Sequence, residues 1–213
     1  IDTNSRLCMS SAVAAHKRAF GEDLVPASYS DFEHTDMVVL VGSNTAWCHP
    51  VLYQRIMKAK EERDLFVVVI DPRFTATCEA ADLHLPILPG QDVALFNGLL
   101  QYLATNHYTD TDFIAKHTQG LEQALASSAS EASIASVSER TGISVEKLAL
   151  FFEKFAQTEK VMSLFSMGVN QSSRGVDKAN SITNCHLLTG KIGKLGAAPV
   201  SYTHLTLPTT PYV

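Results

Sequence analysis

Two stretches, MVVLVGSN (37–44) and LFVVVIDPR (65–73), limit the folds open to this chain. Each opens as an unbroken apolar run without period-two alternation, so each reads as a strand covered on both faces. Between them, HPVLYQRIMKAKEERD (49–64) places Val51, Leu52, Ile56 and Met57 ahead of a charged run. That spacing predicts an amphipathic helix with Pro50 in its first turn. Strand, helix and strand in this order predict parallel pairing, because a parallel neighbour is reached only through a crossover.

The pattern continues down the chain. LHLPIL (83–88) is a short apolar stretch before PGQD, where Asp92 is expected to cap a helix running to about Asn106. Residues 110–139 are polar and rich in Ala and Ser, which predicts two short surface helices. SVEKLALFFEKFAQT (144–158) predicts a helix capped by Ser144 with a wide apolar face. KVMSLFSMG (160–168) reads as strand, and RGVDKANSITNCHLLTG (174–190) as a helix closed by Gly190. The expected fold is α/β, a Rossmann-like parallel sheet with helices on both faces, over residues 1–198. Prolines at 199, 208 and 211 suit neither helix nor central strand, so 199–213 is expected to be a non-native or disordered tail.

Composition narrows the function. The 213 residues are 46% hydrophobic, enough for a real core, and the formal net charge of −5 gives no support for a nucleic-acid or anionic-membrane partner. No apolar run approaches the roughly 20 residues that span a bilayer. The four cysteines, Cys8, Cys48, Cys78 and Cys185, include no C-x-x-C pair, which excludes a zinc ribbon or iron–sulfur motif within the chain. Cys48, Cys78 and Cys185 lie among small or apolar neighbours and read as small hydrophobes. The chain starts at Ile1 in mid-motif, shows no signal peptide and reads as a fragment.

Polar residues collect where strands should end, in GSN (42–44), DPR (71–73), PGQD (89–92) and MGVNQSS (167–173). Open parallel sheets bind ligands at that edge. Gly42 and Gly168 would let backbone approach a ligand closely. Asp71 is either the acid that takes a ribose hydroxyl or the start of a turn, and Asp92 either a guanine acceptor or a helix cap. Arg73 is a ligand contact or a solvated charge. His49 reads as a local hydrogen-bonding residue, His186 as a satisfied core histidine, and Trp47 and Met162 as core. Cys8, ahead of a short Ala/Val helix in NSRLCMSSAV, is filler, nucleophile or metal ligand. Neither G-x-G-x-x-G nor G-x-x-x-x-G-K-[ST] occurs, so ordinary NAD or ATP binding is not supported.

NSRLCMSSAV, DFEHTDMVVLVGSNTAWCHPVLYQRI, VVVIDPRFTATCEAADLHLPILPGQDVALFNGLL and SMGVNQSSRGVDKANSITNCHLLTGKIGKLGA together resemble the molybdopterin oxidoreductases of the dimethyl sulfoxide reductase type, over about residues 1–198. Within that family the likeness is greatest to the assimilatory nitrate reductase branch. The resemblance implies molybdenum held by two molybdopterin guanine dinucleotides, and reduction of nitrate to nitrite by oxygen-atom transfer. It implies Cys8 as the thiolate ligand of the metal and Met9 as an apolar wall beside it. Gly42, Ser43, Asn44, His49, Asp71, Arg73, Gly90 and Asp92 match residues that hold one guanine dinucleotide. Met167, Gly168, Asn170 and Gln171 match a loop near the metal and the pterins.

Rival readings differ at a few residues. Formate dehydrogenases of the family carry a histidine where this chain has Met9. The large subunit of NADH:quinone oxidoreductase, which is structural and electron-transferring, lacks the cysteine motif. The resemblance further implies an iron–sulfur cluster in a preceding domain, a cytoplasmic location, and an NADH-linked flavoprotein, ferredoxin or flavodoxin as electron donor. The iron–sulfur domain and a later active-site arginine are missing from this sequence, so the fragment is expected to be inactive alone.

Overall fold

A computed structural model describes residues 9–24 and 26–201. The predicted strands form β1 (Met37–Val41), β2 (Phe66–Ile70), β3 (Leu83–Leu85) and β4 (Val161–Phe165), joined by a fifth, β5 (Ala198–Ser201). All pair in parallel, in the order β3-β2-β1-β4-β5. The chain winds outward from β1 to β3, then returns to β1's other side to lay down β4. Neighbouring connections therefore diverge between β1 and β4, where such sheets leave a crevice at their carboxyl edge.

Helices cover both faces, as the doubly apolar strands require. Alternate side chains sort into two cores. Met37, Val39, Val41, Val68, Ile70 and Phe165 face one, which is filled by α1 (Ser10–Phe20), α4 (Asp92–Thr105), α8 (Val145–Gln157) and α10 (Gly175–Leu188). Val38, Leu40, Val67, Val69, Met162 and Leu164 face the other, covered by α3 (Pro50–Arg63) through Leu52, Ile56 and Ala59. The first core holds Phe96, Phe151, Phe152 and Phe155, all fully buried. Pro50 opens α3, and the Ser144 hydroxyl accepts the Lys147 N–H at the start of α8, both as expected. Gly190 follows the end of α10 with φ +60°, the left-handed backbone that favours glycine.

Three expectations need correction. Residues 110–139 hold three α-helices, α5 (Thr111–His117), α6 (Leu121–Ser127) and α7 (Ile134–Thr141), with a 3-10 turn at Ala129–Glu131. Strand β4 ends at Phe165, and Met167–Asn170 is a helical turn, α9, because Gly168 N–H turns to Gly42 O instead of extending the ladder. The first three tail residues belong to the sheet: Pro199, Val200 and Ser201 are buried in β5, in register with Ser163, Leu164 and Phe165. Residues 202–213, and Cys8, lie outside the described residues.

Candidate functional site

The loops after β1 and β4 meet at the divergence point through two glycines. Gly168 N–H donates to Gly42 O at 3.0 Å, and Gly42 N–H donates to Ile70 O at 2.9 Å. A Cβ on Gly42 would stand 2.8 Å from Gly168 Cα, and one on Gly168 2.7 Å from Gly42 Cα. Gly42 also has φ +55°, so both space and backbone conformation demand glycine there. The result is bare backbone at the crevice.

Beyond Gly42, the loop is tied down by hydroxyls. Ser43 and Thr45 hydroxyls share a 2.9 Å hydrogen bond, and Thr77 Oγ1 donates to Asn44 Oδ1 at 2.9 Å. Thr77 also accepts Ala46 N–H, so the loops after β1 and β2 are fixed to each other. With its oxygen held by Thr77, the Asn44 amide N–H2 has no partner among the described residues. After β2, the Asp71 carboxylate accepts Arg73 N–H at 2.9 Å in a tight turn, which leaves its second oxygen and the exposed Arg73 guanidinium without partners among the described residues. His84 Nε2 donates to Asp71 O at 2.9 Å; a carbonyl only accepts, which fixes the imidazole tautomer. Asp71 thus starts a turn, and its second carboxylate oxygen stays open among the described residues.

Asp92 departs from one of its two expectations, the helix cap. It is the first residue of α4, not its cap, which is Gln91. Its buried carboxylate meets Lys178 Nζ of α10 at 2.7 Å, and Lys178 also donates to Gly168 O at 3.4 Å. One oxygen of Asp92 is thus engaged by Lys178. Its partner makes a three-way tie between the loops after β3 and β4. Sequence reasoning missed Lys178, although its spacing from Ile182 and Cys185 puts it on the apolar face of α10, an unusual place for a lysine. Gly90 has φ +85° with no protein atom near its missing Cβ, so the turn itself calls for glycine there. With Gln91, Asn97, Arg140 and Arg174 it borders a polar hollow of about 270 Å³, and Arg174 is a second unforeseen cation beside this loop.

Near the start of the described chain, Met9 is buried and its sulfur accepts a hydrogen bond from Asn170 Nδ2 at 3.3 Å. A thioether can only accept, so the amide orientation is fixed and Asn170 Oδ1 is left buried without a partner among the described residues. Met167 and Gln171 flank this turn, both exposed. His49 stands apart. It lines a separate hollow of about 430 Å³ with Tyr29, Pro50, Val51, Leu52 and Arg55, and burial holds its imidazole below the usual histidine value. Trp47 is 76% exposed and Cys48 is also exposed, against the expectation of burial; the short helix α2 (Thr45–Cys48) turns them outward. Met162 and His186 are buried as expected, and His186 is satisfied by Lys191 O at 2.9 Å and Ser163 Oγ at 2.8 Å.

The molybdopterin oxidoreductase pattern matches residues 1–211. The chain belongs to the molybdopterin oxidoreductases. That match runs past residue 198, which corrects the expectation that the family pattern stops there. A nitrate reductase from Shewanella frigidimarina is 50% identical over 95% of this chain and 22% of its own length. The assimilatory nitrate reductase catalytic subunit of Bacillus subtilis is 38% identical over 91% of this chain and 27% of its own. Among solved structures, acetylene hydratase from Pelobacter acetylenicus superposes with a TM-score of 0.72 over 90% of this chain and 25% of that one, at 21% identity, a likeness of fold. The chain thus spans about a quarter of the length of the curated relatives it matches.

The residues present fit a molybdopterin cofactor. Gly42 and Gly168 keep the loops after β1 and β4 close together and free of side chains at their contact, and the open Asp71 oxygen, Asn44 amide and Arg73 guanidinium are suited to hydroxyl, carbonyl and phosphate groups. Asp92 is held in place by Lys178 through one oxygen. Among the described residues no three His, Cys, Asp or Glu side chains gather into a metal site, and no helix is long and apolar enough to cross a membrane.

Proposed function

We propose that this chain is part of a molybdenum-dependent nitrate reductase that reduces nitrate to nitrite. The observation that carries the reading is the 50% identity to a nitrate reductase over nearly the whole chain, with Met9 buried beside the Asn170 turn. When bound, molybdenum in a bis(molybdopterin guanine dinucleotide) cofactor would supply the two-electron oxygen-atom transfer. The chain's own residues bind and orient. Cys8 serves as the thiolate ligand; a soft, electron-rich sulfur suits a high-valent metal and is deprotonated by coordination. Gly42 and Gly168 admit the ligand to the backbone, Ser43 and Asn44 fix one loop, and Asp71 and Arg73 hold the ribose and phosphate end. Gly90 shapes the next loop, and Asp92 holds it through Lys178.

Met9 has a second duty besides walling the site with an apolar surface: it orients the Asn170 amide. Met167 and Gln171 close the same turn. An iron–sulfur cluster outside this chain, a cytoplasmic location and a flavoprotein, ferredoxin or flavodoxin donor complete the reading. The test is Cys8→Ala in the full-length enzyme. Nitrate reduction and molybdenum content should fall together while circular dichroism stays unchanged. Wild-type turnover in the variant refutes the assignment.

A further inference from the structure

Phe74 is 68% exposed in a loop that is otherwise well anchored. It sits directly after Arg73 and three residues beyond Asp71, at the carboxyl end of β2. Its ring packs at right angles to His84, with centroids 5.5 Å apart and an interplanar angle of 82°. His84 is itself held by the hydrogen bond to Asp71 O. A phenylalanine tethered in this way, yet left largely in water, forgoes most of the stabilisation its burial would bring. A planar ligand laid on the free side of the ring would recover it.

The neighbours identify the ligand's chemistry. In sheets with this strand order, an acid at the end of the second strand takes the ribose hydroxyl. The base attached to that ribose then lies beyond the acid, next to whatever follows it in the loop. Here Phe74 follows. Arg73 supplies a cation for a phosphate on the same nucleotide, and Asp71 keeps one oxygen open.

We infer that Phe74 is the stacking platform for the purine base of the nucleotide held at Asp71, with His84 as the residue that positions the ring. The inference deepens the proposed guanine dinucleotide site and rests on it. Stacking acts on any base, so Phe74 supplies affinity at the base end of the ligand and leaves the choice of base to other groups.

The test titrates GDP, and separately ribose 5-phosphate, into the cofactor-free full-length enzyme carrying the wild-type chain, Phe74→Ala or Phe74→Trp by calorimetry, with circular dichroism confirming that each is folded. Phe74→Ala should weaken GDP about 10-fold and leave ribose 5-phosphate unchanged, and Phe74→Trp should restore GDP binding. Equal GDP affinity in Phe74→Ala, or an equal loss for both probes, overturns the stacking role and leaves the nucleotide site standing. A wild-type chain that binds no GDP overturns the guanine nucleotide site and the stacking role with it.

Discussion

Gly42 and Gly168 touch backbone to backbone, 126 residues apart in sequence and joined by one hydrogen bond of 3.0 Å from Gly168 N–H to Gly42 O. That contact sets the distance between the loops after β1 and β4. Gly168→Ala would place a methyl group inside van der Waals range of Gly42 Cα and O, where neither neighbour is a movable side chain. The expected cost is about 1–3 kcal/mol, read from urea unfolding. Hydrogen exchange at residues 42–44 should quicken in the same variant. An unchanged midpoint would show that the two loops separate freely.

The Asp92–Lys178 pair is buried on both sides, with side-chain exposures of 9% and 6%. Removing one partner strands the other charge away from water. Lys178→Met should therefore destabilise by about 3–5 kcal/mol, and adding Asp92→Asn should recover part of that loss. A double-mutant cycle in urea measures the coupling. A single-variant cost below about 1 kcal/mol would mean that water reaches the pair.

Burial pushes the His186 imidazole down to about 3, and the hydrogen bond that its ring donates to Lys191 O only partly opposes it. In the unfolded chain a histidine titrates near 6.5, so between these values the unfolded state binds a proton that the folded state does not. Stability is full above about 6.5 and falls as pH drops, by up to ~1.4 kcal/mol per pH unit. His186→Gln should flatten this dependence by about one proton when urea midpoints at pH 5 and 7.5 are compared. Lys191, lowered to about 8 by the same burial, adds stability between about 8 and 10.5 as the unfolded chain alone keeps its proton.

Thiol chemistry should separate the described cysteines. Cys48 is exposed, whereas Cys78 and Cys185 are buried. Desolvation also pushes the Cys185 thiol well up, which depletes the reactive thiolate. Iodoacetamide on the native chain should label Cys48 and spare the other two, as peptide mass spectrometry would show. Equal labelling of Cys185 would mean that the α10 core opens readily.

The parts of the fold legible in the sequence are those written in one place. MVVLV and FVVVI announce buried strands without help from any partner, and Ser144 and Pro50 mark helix starts by local chemistry. β5 could not be read so: four residues with a proline at the second carry no period, and only pairing with β4 makes them a strand. Asp92 shows the same limit at the site. Whether a first-turn aspartate caps a helix or meets a lysine depends on Lys178, in a helix laid down after β4. Trp47 was misjudged because residue type alone argues for burial, while the helical turn that exposes it depends on the loop ties at Asn44 and Thr77.

Among the described residues β5 is the outermost strand on its side of the sheet, and this has a consequence for solubility. Every residue of β4 is buried, none is charged, and its outer row of N–H and C=O groups is covered by β5 alone. A protein cut before Ala198 would expose that row as a flat apolar template on which other chains could assemble. β5 itself is a poorer template, since Pro199 has no N–H to offer an arriving strand. The proline that reads as foreign to a sheet is thus a guard at its margin, limiting lateral growth to the strand that carries it.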